Sequence, residues 1–183
     1  MIPSEREALA LHRKHGSNEI LVRHCQTVAE VARVLCGGLA EAGREVDADA
    51  VAAGALLHDI GRNRTPTVRH GLAGAEILEA EGVDAVVVEM VKRHVGAGLS
   101  QDEARRLGLP DMDFVPRTIE QRVVCFADKM VSTEEVRPFR EEVDRFVRKG
   151  HDVSRLMALK RGLEEDLGQD PERLVLKNVK ESG

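Results

Sequence analysis

A chain of 183 residues, 42% hydrophobic and 32% charged, is long enough to bury one core and too apolar to stay disordered. Its formal net charge of -5 argues against a global basic field for duplex nucleic acid or membrane surfaces, and the absence of Trp and Tyr removes the stacking platform of single-strand binders. Cys25, Cys36 and Cys125 form no CxxC pair and read as reduced core thiols of a cytoplasmic protein.

The predicted elements are helical almost throughout. Ser4 and Glu7 make a capping box for a first helix to about His15, whose opening segment is too charged for a signal core. After Gly16-Ser17, Ile20, His24, Val28, Val31 and Leu35 share one stripe, which is expected to end at Gly37-Gly38. A third helix covers roughly Asp47 to His58. Segments from His70 to Glu81 and Asp84 to His94 give two more, with Gly82 between them. Ser100 with Glu103 caps a short helix ending near Gly108, and Thr118 with Gln121 opens one running through Val131. Ser132 and Glu135 suggest a further cap, with Pro138 limiting how early its helix starts. That helix ends near Gly150, the stretch "DVSRLMALKRGLEEDLG" gives another, and a charged segment closes the chain. No apolar run approaches a membrane span, and no strand run alternates. The expected fold is all-α: one helical-bundle domain over 1–183, with a motif-bearing core at about 17–132 and C-terminal helices at about 133–180.

The seven histidines are unevenly placed. His12, His15 and His151 lie among polar residues and read as solvated surface. His24, His58 and His94 continue apolar stripes. His70 opens a helix whose inward face runs through Ala73 or Gly74 to Ile77, and Asp128 shares a face with Val124 and Val131. A lone histidine on such a face is more often a hydrogen-bonded core residue than a ligand. Four histidines with Asp59 and Asp128, all directed inward from five helices, are met jointly by a divalent cation.

The order His24, His58-Asp59, Asp128 resembles the H…HD…D signature of the HD superfamily of metal-dependent phosphohydrolases, and "HDIG" at 58–61 is the form that names one of its subgroups. The likeness covers roughly residues 17–132 and is greatest to a small archaeal HDIG group. It implies a helical bundle in which His24, His58, Asp59 and Asp128 hold one divalent ion. His70 and His94 would hold a second, as in two-metal members, with Asp59 bridging. One or two ions are therefore expected, Fe2+, Mn2+, Mg2+, Ni2+ or Zn2+. The implied reaction is hydrolysis of a phosphate ester or anhydride in a small phosphorylated or nucleotide-like substrate by a metal-activated hydroxide.

Among the nearby cations Arg62, Arg64, Arg69, Lys92, Arg93 and Lys129, the best phosphate clamp is Arg62, four residues past His58; Lys129 follows the last candidate ligand. Two glycines in "HVGAGLS" would admit substrate close to the backbone. Glu76, Glu89, Asp102 and Asp111 are all candidates for a general acid. Two further classes compete: a diiron oxygenase, which oxygen consumption would reveal, and a non-catalytic nucleotide-binding module, which a missing ligand would have favoured. A homo-oligomer is left open.

Overall fold

The computed structural model describes residues 1–180, and the last three residues of the expected domain lie outside them. The helices are α1 Glu5–Lys14, α2 Glu19–Glu41, α3 Ala48–Leu57, α4 His70–Ala80, α5 Ala85–Arg93, α6 Gln101–Arg106, α7 Ile119–Lys129, α8 Phe139–Arg148, α9 Ser154–Leu167 and α10 Pro171–Lys180. A 3-10 turn, Ile60–Asn63, follows α3. The capping boxes predicted at Ser4/Glu7, Ser100/Glu103 and Thr118/Gln121 form at α1, α6 and α7.

The core lies where α2 crosses α3 and α7 and where α5 packs on both of the latter. Val28, Leu35 and Leu39 of α2 share one buried cluster with Leu57 and Ile60, Val87, Met90 and Val91 of α5, and Val124 and Phe126 of α7. Gly54 lets α3 approach α5: a Cβ there would lie 2.6 Å from Met90 Sδ. Ile20, expected on the inward stripe, is instead 55% exposed. It sits in the first turn of α2, beyond the helices that cover the rest of the stripe.

Two expectations about helix boundaries fail for identifiable reasons. The Gly37-Gly38 pair does not end α2, which continues to Glu41. Gly38 serves packing: a Cβ there would stand 2.5 Å from Leu174 Cδ2 of α10 and 3.0 Å from Leu167 Cδ2 of α9. Nor does Ser132 cap a helix. Val131–Ser132 (β1) and Glu135–Val136 (β2) form a two-stranded antiparallel hairpin, with Val131 opposite Val136. Its turn puts Thr133 in the left-handed region at φ 56°, an uncommon conformation for a β-branched residue. The charged terminal segment is the helix α10, whose Val175 is buried against the core.

Candidate metal centre

The site is assembled at helix ends. His58 caps the C-terminus of α3, so the chain turns there and delivers Asp59 to the start of the 3-10 turn. His94 caps α5 in the same way, His70 opens α4, His24 projects from the second turn of α2, and Asp128 stands near the end of α7. His58, Asp59, His70 and His94 are buried; His24 and Asp128 are intermediate.

Close backbone packing brings these ends together. Gly61 is pressed against α4: a Cβ there would fall 1.9 Å from the His70 carbonyl oxygen and 2.4 Å from Gly74 N. Gly71 and Gly74 do the same against α5, where Cβ atoms would meet Val95 at 2.9 Å and Val91 at 2.8 Å. The chain therefore carries glycine at these contacts because any side chain would push His70 away from Asp59 and His94.

Each of the four imidazoles is oriented by a backbone carbonyl. Nδ1–H donates to Thr133 O from His24 at 2.8 Å, to Ala55 O from His58 at 2.7 Å, to Thr67 O from His70 at 2.7 Å and to Val91 O from His94 at 2.6 Å. The strained Thr133 thus supplies the acceptor for His24. All four Nε2 atoms then present lone pairs to the same space. His70 Nε2 and His94 Nε2 are 3.0 Å apart. They lie 3.1 and 3.3 Å from Asp59 Oδ1, while His24 Nε2 and His58 Nε2 lie 3.2 and 3.4 Å from Asp128 Oδ1.

Acceptor facing acceptor at such distances is repulsive, and His58 Nε2 and Asp59 Oδ1 are buried without a hydrogen-bond partner. A divalent cation turns the repulsion into coordination, so the donor set fits a metal. Three donor groups suit one: His24–His58–Asp59, His58–His94–Asp128 and Asp59–His70–His94, each with ligand atoms within 4.8 Å of one another.

Protons compete for the same lone pairs: burial opposes charge on His24 and His58, but Asp128 beside His24, and Cys25 and Asp59 beside His58, outweigh it and raise both above the usual histidine range, so a cation binds there with proton release. Burial pushes the His94 imidazole down to about 4, so at neutral pH it is the neutral, ligating form. Burial opposes ionisation of Asp59, but the imidazoles of His58, His70 and His94 outweigh it and hold the carboxyl well below its usual range. Asp128 is held down likewise, burial being outweighed by Lys129, His24 and His58.

His24, Asp59, His70, His94 and Asp128 line a cleft of about 1040 Å³, with His58 fully buried behind them. Arg62 and Lys129 reach it, and both are already engaged. Arg62 Nε donates to Asp59 Oδ2 at 2.5 Å, and the buried Lys129 ammonium is paired with Asp128 Oδ2. The other cations weighed from sequence lie off the cleft: Arg64 faces Glu76, Arg69 holds Gly108 O, and Lys92 and Arg93 share Glu89. Glu76 and Glu89 are thus paired elsewhere, and Asp102 and Asp111 are paired with Arg105. Of the two glycines after His94, Gly96 lines the cleft, whereas Gly98 packs 2.6 Å from Pro116 Cδ and Val115 Cα when a Cβ is placed on it.

Two features were missed in the sequence. His12 is buried, contrary to the surface reading: its Nε2–H donates to Leu56 O at 2.7 Å and its Nδ1 meets Ser17 Oγ at 2.6 Å, which in turn accepts from Asn63 at 2.7 Å. This chain ties α1 to both sides of the His58-Asp59 turn. Its signal was available, because His12 lies four residues after the buried Ala8. The second feature is α8, which contributes Glu142, Arg145, Phe146 and Arg148 to the cleft. His15 is also drawn in, meeting Glu81 at 2.8 Å, while His151 is exposed as expected.

The chain is 38% identical over 171 residues to a tRNA (cytidine(56)-2'-O)-methyltransferase of Picrophilus torridus, covering 92% of this chain and 49% of that protein. It is 36% identical over 176 residues to the protein of the same name in Thermoplasma volcanium, covering 95% and 51%. The chain thus spans about half the length of these curated relatives. It is 43% identical over 118 residues to an uncharacterized protein of Methanocaldococcus jannaschii, covering 64% of this chain and 70% of that one. Its fold is similar to the crystal structure of the L. monocytogenes phosphodiesterase PgpH HD domain, with a TM-score of 0.60 at 16% identity over 94% of this chain and 98% of that chain. The HD domain model matches residues 21–132, a span that contains all six converging side chains, and the chain belongs to the HD domain family.

Proposed function

We propose that this chain is a metal-dependent phosphohydrolase or phosphodiesterase acting on a small, nucleotide-like phosphate ester or anhydride. The observation that carries the reading is the convergence of four carbonyl-oriented Nε2 atoms on the carboxylates of Asp59 and Asp128. In this proposal His24, His58, Asp59 and Asp128 hold one divalent ion, while His70 and His94 hold a second with Asp59 shared. When bound, the ions supply Lewis acidity and lower the pKa of water toward neutrality.

The chain's own residues do the rest. Asp59 is fixed between imidazoles and the Arg62 Nε, so its orientation does not depend on substrate. The Nη nitrogens of Arg62 have no partner among the described residues and are available to a phosphate oxygen. Lys129 stabilises the Asp128 carboxylate. The methyl transfer in the names of the two longer relatives belongs to proteins of which this chain spans half. The imidazole and carboxylate donors at the floor of the cleft suit a cation and, through it, a phosphate.

The deciding experiment is a phosphatase and phosphodiesterase panel on apo protein reloaded anaerobically with Fe(II), Mn(II), Mg(II), Ni(II) or Zn(II). Turnover restored by metal is expected. Oxygen consumption without phosphate release would favour the oxygenase class, and nucleotide binding without either would favour the binding module.

Two variants refine the model. His70→Ala and His94→Ala should each lower metal content by one ion per chain, read by elemental analysis, while the ion on the His24–Asp128 side stays. If both keep full metal content and activity, the two-ion model is wrong. Arg62→Ala should retain its fold, because the side chain is 41% exposed. It should lose on the order of ten- to a hundred-fold in kcat/KM, the worth of a charge-assisted hydrogen bond. Because Arg62 also grips Asp59, some loss of metal affinity is expected with it. Unchanged kinetics would move the clamp elsewhere.

A further inference from the structure

Three of the four imidazoles are held by their own stretch of chain. His58, His70 and His94 donate to the carbonyls of Ala55, Thr67 and Val91, each three residues earlier. For His58 and His94 these carbonyls lie at the C-terminal end of the helix that the histidine caps, where the helix ladder leaves acceptors spare. His24 has no such acceptor. It lies in the second turn of α2, where the preceding carbonyls are taken up by the helix itself. Its partner, Thr133 O, is 109 residues away in sequence.

That carbonyl belongs to the turn of the 131–136 hairpin, which begins three residues after Asp128. The turn is fastened to α2 at neighbouring positions. Arg23 Nε pairs with Glu134 Oε2 at 2.9 Å, and His24 Nδ1–H reaches Thr133 O at 2.8 Å. Thr27 Oγ1 lies 3.3 Å from Glu134 O, its one hydrogen shared with Arg23 O at 3.1 Å. The hairpin is closed by the Arg137 amide, which donates to Met130 O at 2.7 Å. Thr133 is the first residue of a two-residue turn, where a positive φ favours glycine. It is the only non-glycine residue with positive φ among the described residues. A β-branched residue persists in that conformation where its surroundings over-determine it, and the fastenings to α2 do so.

We propose that the 131–136 hairpin is the positioning element for His24. Docked on α2, its Thr133 carbonyl turns His24 Nε2 toward Asp128 Oδ1, 3.2 Å away, and completes that half of the centre. The His70–His94 half is oriented locally and stands without it. The inference rests on the two-ion reading of the centre, not on the reaction proposed for it. Thr133 acts through His24 and not on the ion. The coupling is reciprocal: what the docked hairpin contributes to binding the ion on the His24–Asp128 side, that ion returns as stability of the docked hairpin.

Zn(II) titration of the full chain against a chromophoric chelator, paired with amide hydrogen exchange, tests this. Thr133→Pro fixes φ at about −65°, the wrong sign, so the carbonyl has to leave His24. Ser132 is already in a strand, as the residue before proline prefers, so the conflict is confined to the turn. This variant should weaken one of the two ions on the order of ten- to a hundred-fold, the usual loss when the partner of a ligating histidine is removed, and leave the other unchanged. Thr133→Gly keeps the positive φ at no steric cost and should bind both ions as the wild type does. Zn(II) should also slow exchange of the Arg137 amide in the wild type. Arg23→Ala/Thr27→Val, which loosens the docking without altering the turn, should lose most of that slowing and weaken the same ion. Circular dichroism verifies folding; should Thr133→Pro not fold, the double variant decides. Wild-type affinity for both ions in Thr133→Pro, or in the double variant where it decides, overturns the proposal. So does equal weakening of both ions, or a Thr133→Gly protein that loses the ion as fully. Hydrolysis of bis(p-nitrophenyl) phosphate by the metal-loaded wild type is followed separately. If that fails while zinc binding behaves as expected, the hydrolase reading falls and the role of the hairpin stands.

Discussion

Asp59→Ala should abolish metal-dependent hydrolysis and reduce bound metal on both sides of the centre. Asp59 Oδ1 is within 3.3 Å of His70 and His94 Nε2, and Oδ2 lies 3.7 and 4.0 Å from His58 and His24 Nε2. It is the carboxylate placed between the two histidine pairs, so its loss removes a donor from both proposed ions at once. Asp59→Asn tests charge against shape. It keeps the volume but replaces an anionic oxygen with a neutral amide, and should lose metal nearly as fully. Elemental analysis and turnover on the same preparations supply the readout, with thermal melting to show that the fold survives. Arg62 limits the structural damage, since its guanidinium is 41% exposed and can be hydrated once its partner is gone. A folded Asp59→Ala protein that still hydrolyses its phosphoester would overturn the site assignment altogether.

The reason the converging residues could be picked out in the sequence is that helical periodicity constrains helix faces strongly. His24 falls four residues before Val28, and Asp128 four after Val124, both of them buried, so those side chains had to point inward. His58 and His94 were reached by extending stripes one residue past helices that end at Leu57 and Arg93. Other features depend on contacts distant in sequence. Gly38 looks like a helix stop until α9 and α10 are laid against it. The 131–136 hairpin has strands of two residues, too short for any period to show. Helix α8 buries only Phe139, so its charges read as a solvated face. Only the folded chain shows that Arg145 and Arg148 line the cleft.

Gly61→Ala makes the corresponding prediction about packing. Gly61 is not among the residues with positive φ, so alanine is sterically wrong there and not conformationally wrong. Its Cβ would enter the backbone of α4, 1.9 Å from His70 O and 2.4 Å from Gly74 N, and backbone cannot rotate away as a side-chain tip can. Helix α4 has to retreat by about an ångström or more, carrying His70 off Asp59. Overpacking of this kind costs about 1–3 kcal/mol, or more where the backbone must shift. A displacement of ~1 Å in a site can cost ~100-fold in rate. The variant should therefore melt several degrees lower, lose the ion proposed for His70 and His94, and retain that on the His24 side. Gly37→Ala is the control: it lies in α2 with nothing within 4 Å of its would-be Cβ. There alanine should be neutral or stabilising by ~0.5–1 kcal/mol, because glycine is the poorer helix former. A Gly61→Ala protein that matches the wild type in melting temperature and metal content would show that α4 can yield without moving His70. The glycine of the HDIG motif would then need a different explanation from the one its packing supplies.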